Sequence, residues 1–226
     1  MVDLDWSSIP PAAPLLWRGA RLTLEITGVA LVAGIALGTL LAVLRLSPVR
    51  PLGWLSAAYV NTFRTIPLVM VLLWFYLLVP SVLVRVFSLP RTADVRFTTA
   101  VVSFVLFEAA YFAEIIRAGI QSVSGGQLAA ALALGMRRGQ AMRLVILPQA
   151  FRNMIPLLLT QGIILFQDTS LAYVTMSVLE FFGSGDTVGR RDGRQIELIL
   201  FAGACYFALS FVASRLVKRL QDRLAT

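Results

Sequence analysis

Two runs without a charge constrain this chain before anything else does: Ile26 to Leu44, nineteen residues, and Thr65 to Val84, twenty residues. Crossing the hydrocarbon of a bilayer takes roughly 20 helical residues, so each run is a membrane span. A chain that is 58% hydrophobic and 14% charged also lies well outside the usual balance of a soluble domain. Phe97 to Ile116 is a third span, holding two glutamates. Phe151 to about Phe166 is a fourth, and Leu198 to Ala213 a fifth.

The chain therefore reads as one all-α membrane domain, 1–226. Its spans fall at about 17–46, 54–84, 97–118, 151–182 and 196–214, with a cytoplasmic loop at about 119–150. Thr169 to Phe182 is too short to cross alone and is expected to be re-entrant or a bent continuation of span four. The segment before Trp17, with Pro10, Pro11 and Pro14, is expected to lie irregularly on the outer interface. Trp74, Phe75 and Tyr76 near Pro80 form an outer interfacial belt. Gly34 and Gly38, four apart in span one, permit close helix packing. Asp3 and Asp5 stand where a secretory signal would be positive. The single cysteine, Cys205, packs inside span five.

Orientation follows from arginine placement. Arg45, Arg50, Arg117, Arg137, Arg138, Arg143, Arg152, Arg215, Lys218, Arg219 and Arg223 share one side with one clearly matching acid, Asp222. The other side has Arg18, Arg21, Arg85, Arg91, Arg96, Arg190, Arg191 and Arg194 among Asp3, Asp5, Asp94, Glu180, Asp186, Asp192 and Glu197. The N-terminus is therefore outside and the C-terminus cytoplasmic. The net charge of +8 needs only anionic lipid and a cytoplasmic partner, not nucleic acid.

Histidine is absent, which removes the commonest general base and zinc ligand, and no metal site is expected. The only lysine, Lys218, lies in ASRLVKRL and belongs to no Gly-rich phosphate loop. The chain has no catalytic residues and cannot be a P-loop ATPase. ATP-driven transport would need a separate subunit to hydrolyse the nucleotide.

Ionisable groups inside the membrane cost about 2.5–3.5 kcal/mol each, so each needs a partner or a role. Arg64 and Thr65 directly precede Ile66-Pro67, where a proline frees backbone carbonyls beside a fixed cation. Arg64 is either a contact for a substrate carboxylate or an arginine at the cytoplasmic boundary. Glu108, Tyr111 and Glu114 follow at i, i+3, i+6, and Glu114 with Arg117 forms a structural ion pair. Glu108 has no sequence-local cation and needs a cavity or a partner across the bundle. Gln167, Asp168, Thr169 and Ser170 interrupt an apolar run. Four consecutive polar residues point all round a helix, so they line a pathway or bind neighbouring helices together.

The loop has its own pattern. Leu128, Ala131, Leu132 and Gly135 recur at helical spacing, and the glycine comes where a short helix over 128–134 would stop. An apolar stripe among uncompensated arginines, Arg137 and Arg138 first, points to docking on a cytoplasmic protein. The docking set is Gln127, Leu128, Ala129, Ala130, Ala131, Leu132, Leu134, Gly135, Arg137 and Arg138.

With Ala129-Ala130-Ala131, Gly135 and Ile146-Leu147-Pro148 in place, this loop resembles the coupling loop of ABC importer permeases. FRTIPL (63–68), AEIIRAGIQSV (113–123), LPQAFRNMIP (147–156) and QDTSLAYV (167–174) are similar to the polar amino acid uptake permeases, and longer stretches to their glutamate/aspartate branch. The resemblance implies a type I importer fold of about five transmembrane helices in the bacterial inner membrane. It implies a dimer with an identical or related permease, on P-loop ATPase subunits that hold ATP and magnesium. This chain itself needs no cofactor. An extracytoplasmic binding protein would deliver the amino acid. Two positions depart from the pattern: Ala129 replaces a glutamate, and Gln167 replaces a lysine. A secondary transporter or channel using Glu108, Glu114 and Asp168 as an ion relay is the competing class. An intramembrane enzyme is disfavoured by the missing histidine.

Overall fold

The computed structural model describes residues 4–90 and 92–225, so Asp3 and Arg91, both counted on the outer side above, lie outside the described residues. A turn of 3-10 helix, Trp6–Ser8, leads into α1, Ile9–Arg45. Then follow α2 (Arg50–Thr65), α3 (Leu68–Val86), α4 (Arg96–Gln121), α5 (Gly125–Ala133) and the short α6 (Arg138–Ala141). A π-helical segment, Met142–Ile146, joins α6 to α7 (Leu147–Asp168). The chain ends with α8 (Leu171–Met176), α9 (Phe181–Asp192) and α10 (Gln195–Ala225). No strand occurs among the described residues.

The expected irregular N-terminus is corrected: Pro10, Pro11 and Pro14 sit inside α1. Pro10 and Pro11 are tolerated because first-turn N–H groups have no intrahelical partner to lose, whereas Pro14 lies inside the helix and leaves one backbone bond unmade. Arg194 holds this end down, donating to Ser8 Oγ at 2.9 Å and pairing with Asp5.

The span expected at 54–84 is two helices. Ile66 is extended (φ −96°, ψ 133°), because the ring of Pro67 disfavours helical backbone in the residue before it. Among the described residues four helices are long and apolar enough to cross a bilayer: Trp6–Arg45, Leu68–Val86, Arg96–Gln121 and Gln195–Leu224. α7 is long enough but carries Arg152, Asn153, Thr160, Gln161, Gln167 and Asp168. It accordingly needs neighbours or water on its polar side.

α4 is the hub, with 61% of its most apolar window buried against 11% for α3. α1 crosses it closely. A Cβ on Gly38 would come within 2.9 Å of Ala109 O and Ala113 N, so only a glycine admits this approach. Ile26, Ala30, Leu72, Phe104, Leu165 and Met176 make the largest buried cluster, which ties α1, α3, α4, α7 and α8 together.

After α7 the chain bends through Thr169 and Ser170 into α8, then turns at Ser177, which is left-handed (φ 55°). α9 falls between the expected spans at 151–182 and 196–214, in the stretch GSGDTVGRRDG. It is held by Glu180, whose buried carboxylate accepts from Phe182 N and Gly183 N at 2.8 Å and from Tyr206 Oη at 2.8 Å. Thr23 Oγ1 adds a longer contact of 3.3 Å from α1.

Candidate functional site

Breaking α2 from α3 at Ile66-Pro67 opens a cleft of about 410 Å³. Arg64, Thr65, Ile66, Pro67 and Leu68 form one wall. Phe107 and Tyr111 come from α4, and Gln161, Ile164 and Asp168 from α7. Tyr59 anchors α2 in place by donating its hydroxyl to Leu106 O at 2.6 Å. Phe107 with Tyr111, and Gln161 with Asp168, lie four and seven residues apart, so each pair falls on one face of its helix.

Arg64 sits between two partners. Its guanidinium lies 5.7 Å from the centroid of the Tyr111 ring and Nη1 is 3.8 Å from Glu114 Oε1. Glu114 is shared further. It accepts from Arg45 Nη1 at 2.9 Å and from Arg117 Nε at 3.1 Å, with a second contact to Arg117 Nη2. Three guanidiniums thus surround one carboxylate at the inner end of the cleft, leaving a local surplus of positive charge.

Of the polar residues expected on the pathway, Arg64, Thr65, Tyr111 and Asp168 line the cleft. Glu108 lies behind it, fully buried, where its Oε2 accepts from Gln161 Nε2 at 3.0 Å. Gln167, Thr169 and Ser170 are not among the lining residues. Gln167 is exposed elsewhere. Thr169 is buried and donates to Phe166 O at 2.7 Å, and Ser170 donates to Gln167 O at 2.9 Å. These local bonds close the end of α7 rather than reach the cleft. Gln161 is the polar lining residue that sequence reasoning missed, beside the apolar Leu68, Phe107 and Ile164. Its signal was a lone amide in the run LLLTQGIILF, two turns before Asp168 on the same face.

The loop from α4 to α7 contains a short helix, as expected, with different bounds. α5 starts at Gly125, earlier than the expected 128, and Ser124 Oγ accepts from Gly126 N at 3.3 Å. It stops in a Schellman arrangement: Gly135 takes φ +84°, Gly135 N donates to Leu132 O at 3.0 Å and Met136 N to Ala131 O at 3.1 Å. Ala131 is only 4% exposed and Leu128 is half-buried, and α5 packs against α6 and the π-helical segment that follow it. The outward residues are Gln127, Ala129, Ala130, Leu132, Leu134, Gly135, Arg137 and Arg138, with Leu134 82% exposed. Arg137 N donates to Gln140 Oε1 at 2.9 Å, which fixes the entry to α6.

Residues 34–226 match the family described as "Binding-protein-dependent transport system inner membrane component". The chain is 59% identical over 225 residues to the "Glutamate/aspartate import permease protein GltK" of Escherichia coli O6:H1, covering 100% of both chains. It is 33% identical over 231 residues to the "Glutamine transport system permease protein GlnP" of Escherichia coli K12, covering 99% of each. Among solved structures it superposes on an amino acid ABC transporter crystallised with histidines with a TM-score of 0.86 and 30% identity, covering 98% of this chain and 100% of the other. An inward-facing MetNI methionine ABC transporter matches with a TM-score of 0.69 at 23% identity, covering 93% and 98%, a likeness of fold.

Proposed function

The chain belongs to the binding-protein-dependent transport system inner membrane component family, and we propose that the amino acids it passes inward are glutamate and aspartate. As a type I ABC importer permease it is a multi-pass inner membrane protein. It is a transport subunit and not an enzyme, with ATP hydrolysis in a separate subunit and a second permease beside it.

One observation carries the substrate reading: Arg64 and Asp168 line the same cleft on different helices. An amino acid presents carboxylate and ammonium together, and a site holding one cation and one anion suits both. The acidic side chain then needs additional positive potential. Arg45 and Arg117 supply it beside Arg64, since Glu114 neutralises only one of the three charges. That surplus makes a lysine at position 167 unnecessary. The 59% identity to a glutamate/aspartate permease supports the same assignment.

The outward face of α5 and the turn after it, with Leu132, Leu134, Arg137 and Arg138, is the surface on which the ATPase subunit, the holder of ATP and magnesium, docks. With Ala129 in place of an acid, contact there rests on shape and apolar surface. The outer face, where α9 and the N-terminus are pinned together, receives the substrate-binding protein, and the exposed faces of α3 and α10 meet lipid. An ion relay through Glu108, Glu114 and Asp168 is not favoured, because Glu114 is tied to Arg45 and Arg117. ATP-dependent uptake of labelled glutamate into proteoliposomes, with Arg64→Gln beside the wild type, tests the assignment. Full uptake by the variant would refute it.

A further inference from the structure

Glu108 has no exposed surface, and while its Oε2 accepts from Gln161, its Oε1 is buried with no partner among the described residues. A carboxyl group held in this way is costly and does not arise from packing alone.

Its one bond leads to a side chain that lines the cleft. The Gln161 amide is planar, with a donor end and an acceptor end. Glu108 engages the nitrogen, which turns the carbonyl oxygen away from Glu108. We infer that Glu108 is a positioning residue for the transported amino acid: by binding Gln161 Nε2 it fixes the amide so that Gln161 Oε1 joins Asp168 in accepting the substrate's α-ammonium. Were the amide free to turn over, its NH2 would meet the ammonium donor to donor. The inference rests on the cleft being the substrate site. It requires an acceptor oxygen at position 108 and no negative charge.

The experiment is ATP-driven uptake of labelled glutamate by the reconstituted complex, with KM and kcat measured separately. Glu108→Gln keeps an acceptor oxygen and should hold KM within about twofold of wild type, whereas Glu108→Ala and Gln161→Leu should each raise it about tenfold, with a much smaller effect on kcat. Glu108→Met fills the volume without an acceptor and should match Glu108→Ala, which covers the case in which truncation alone prevents assembly. The double variant Glu108→Met/Gln161→Leu should be no worse than Gln161→Leu. A Glu108→Gln complex as impaired as Glu108→Met, or losses that add in the double variant, would overturn the inference. A wild-type complex that takes up neither glutamate nor aspartate would instead overturn the substrate reading. The same double-variant cycle is then read by thermal melting, where coupling between positions 108 and 161 is expected and its absence overturns the Glu108–Gln161 link.

Discussion

Arg64 Nη1 stands 3.8 Å from Glu114 Oε1, too long for a good hydrogen bond, while Arg45 and Arg117 already satisfy that carboxylate at 2.9 Å and 3.1 Å. Arg64 is therefore the loosest of the three cations. It can turn toward a substrate carboxylate without leaving Glu114 unpaired.

Arg64→Gln should consequently weaken uptake of acidic amino acids, raising KM about tenfold or more through the lost charge-assisted bond. The fold should survive, because Glu114 keeps two partners. Uptake kinetics together with a melting curve check both halves.

Glu114→Gln has the opposite signature. It leaves Arg45, Arg64 and Arg117 clustered without their counter-ion. The side chains involved are 20–41% exposed, so the cost is below that of a fully buried pair, about 1–2 kcal/mol. A lowered melting temperature in the purified protein is the expected result.

Gly38→Ala should be destabilising by about 1–3 kcal/mol, because the added methyl meets the backbone of α4. Gly28→Ala serves as the control. Nothing lies within 4 Å of a Cβ at position 28, so that variant should fold and assemble as wild type does. Yield and melting temperature of the two variants decide.

At the loop, Leu134→Glu and Ala131→Glu should separate. Leu134 is exposed, so its substitution should leave the permease folded and reduce association with the ATPase, read as co-purification. Ala131 is buried, and a glutamate there should unfold the loop itself. Normal stimulation of the ATPase by the Leu134→Glu variant would remove this face from the docking surface.

α1 and α3 were legible because hydrocarbon imposes long uncharged runs, whereas Pro67 divides the expected 54–84 span into two helices and Gly135 ends α5, each through a local backbone constraint. The rest depended on distant partners. α9 forms from a glycine-rich, polar stretch because Glu180 is buried against Thr23 and Tyr206, which lie far away in the chain. The turning inward of Ala131 depends on the segment after Gly135, which no periodicity within α5 encodes. Gln161 gains meaning only once α7 is set beside Glu108. The arginine cluster on Glu114 likewise joins three helices, and only its Arg117 member was within local reach.

The most direct measurement is uptake of labelled glutamate into proteoliposomes holding the complex purified from native membranes, with the membrane potential clamped and ATP supplied or withheld. Uptake that requires ATP, and that Arg64→Gln sharply reduces, is predicted. Uptake that continues without ATP would contradict the account.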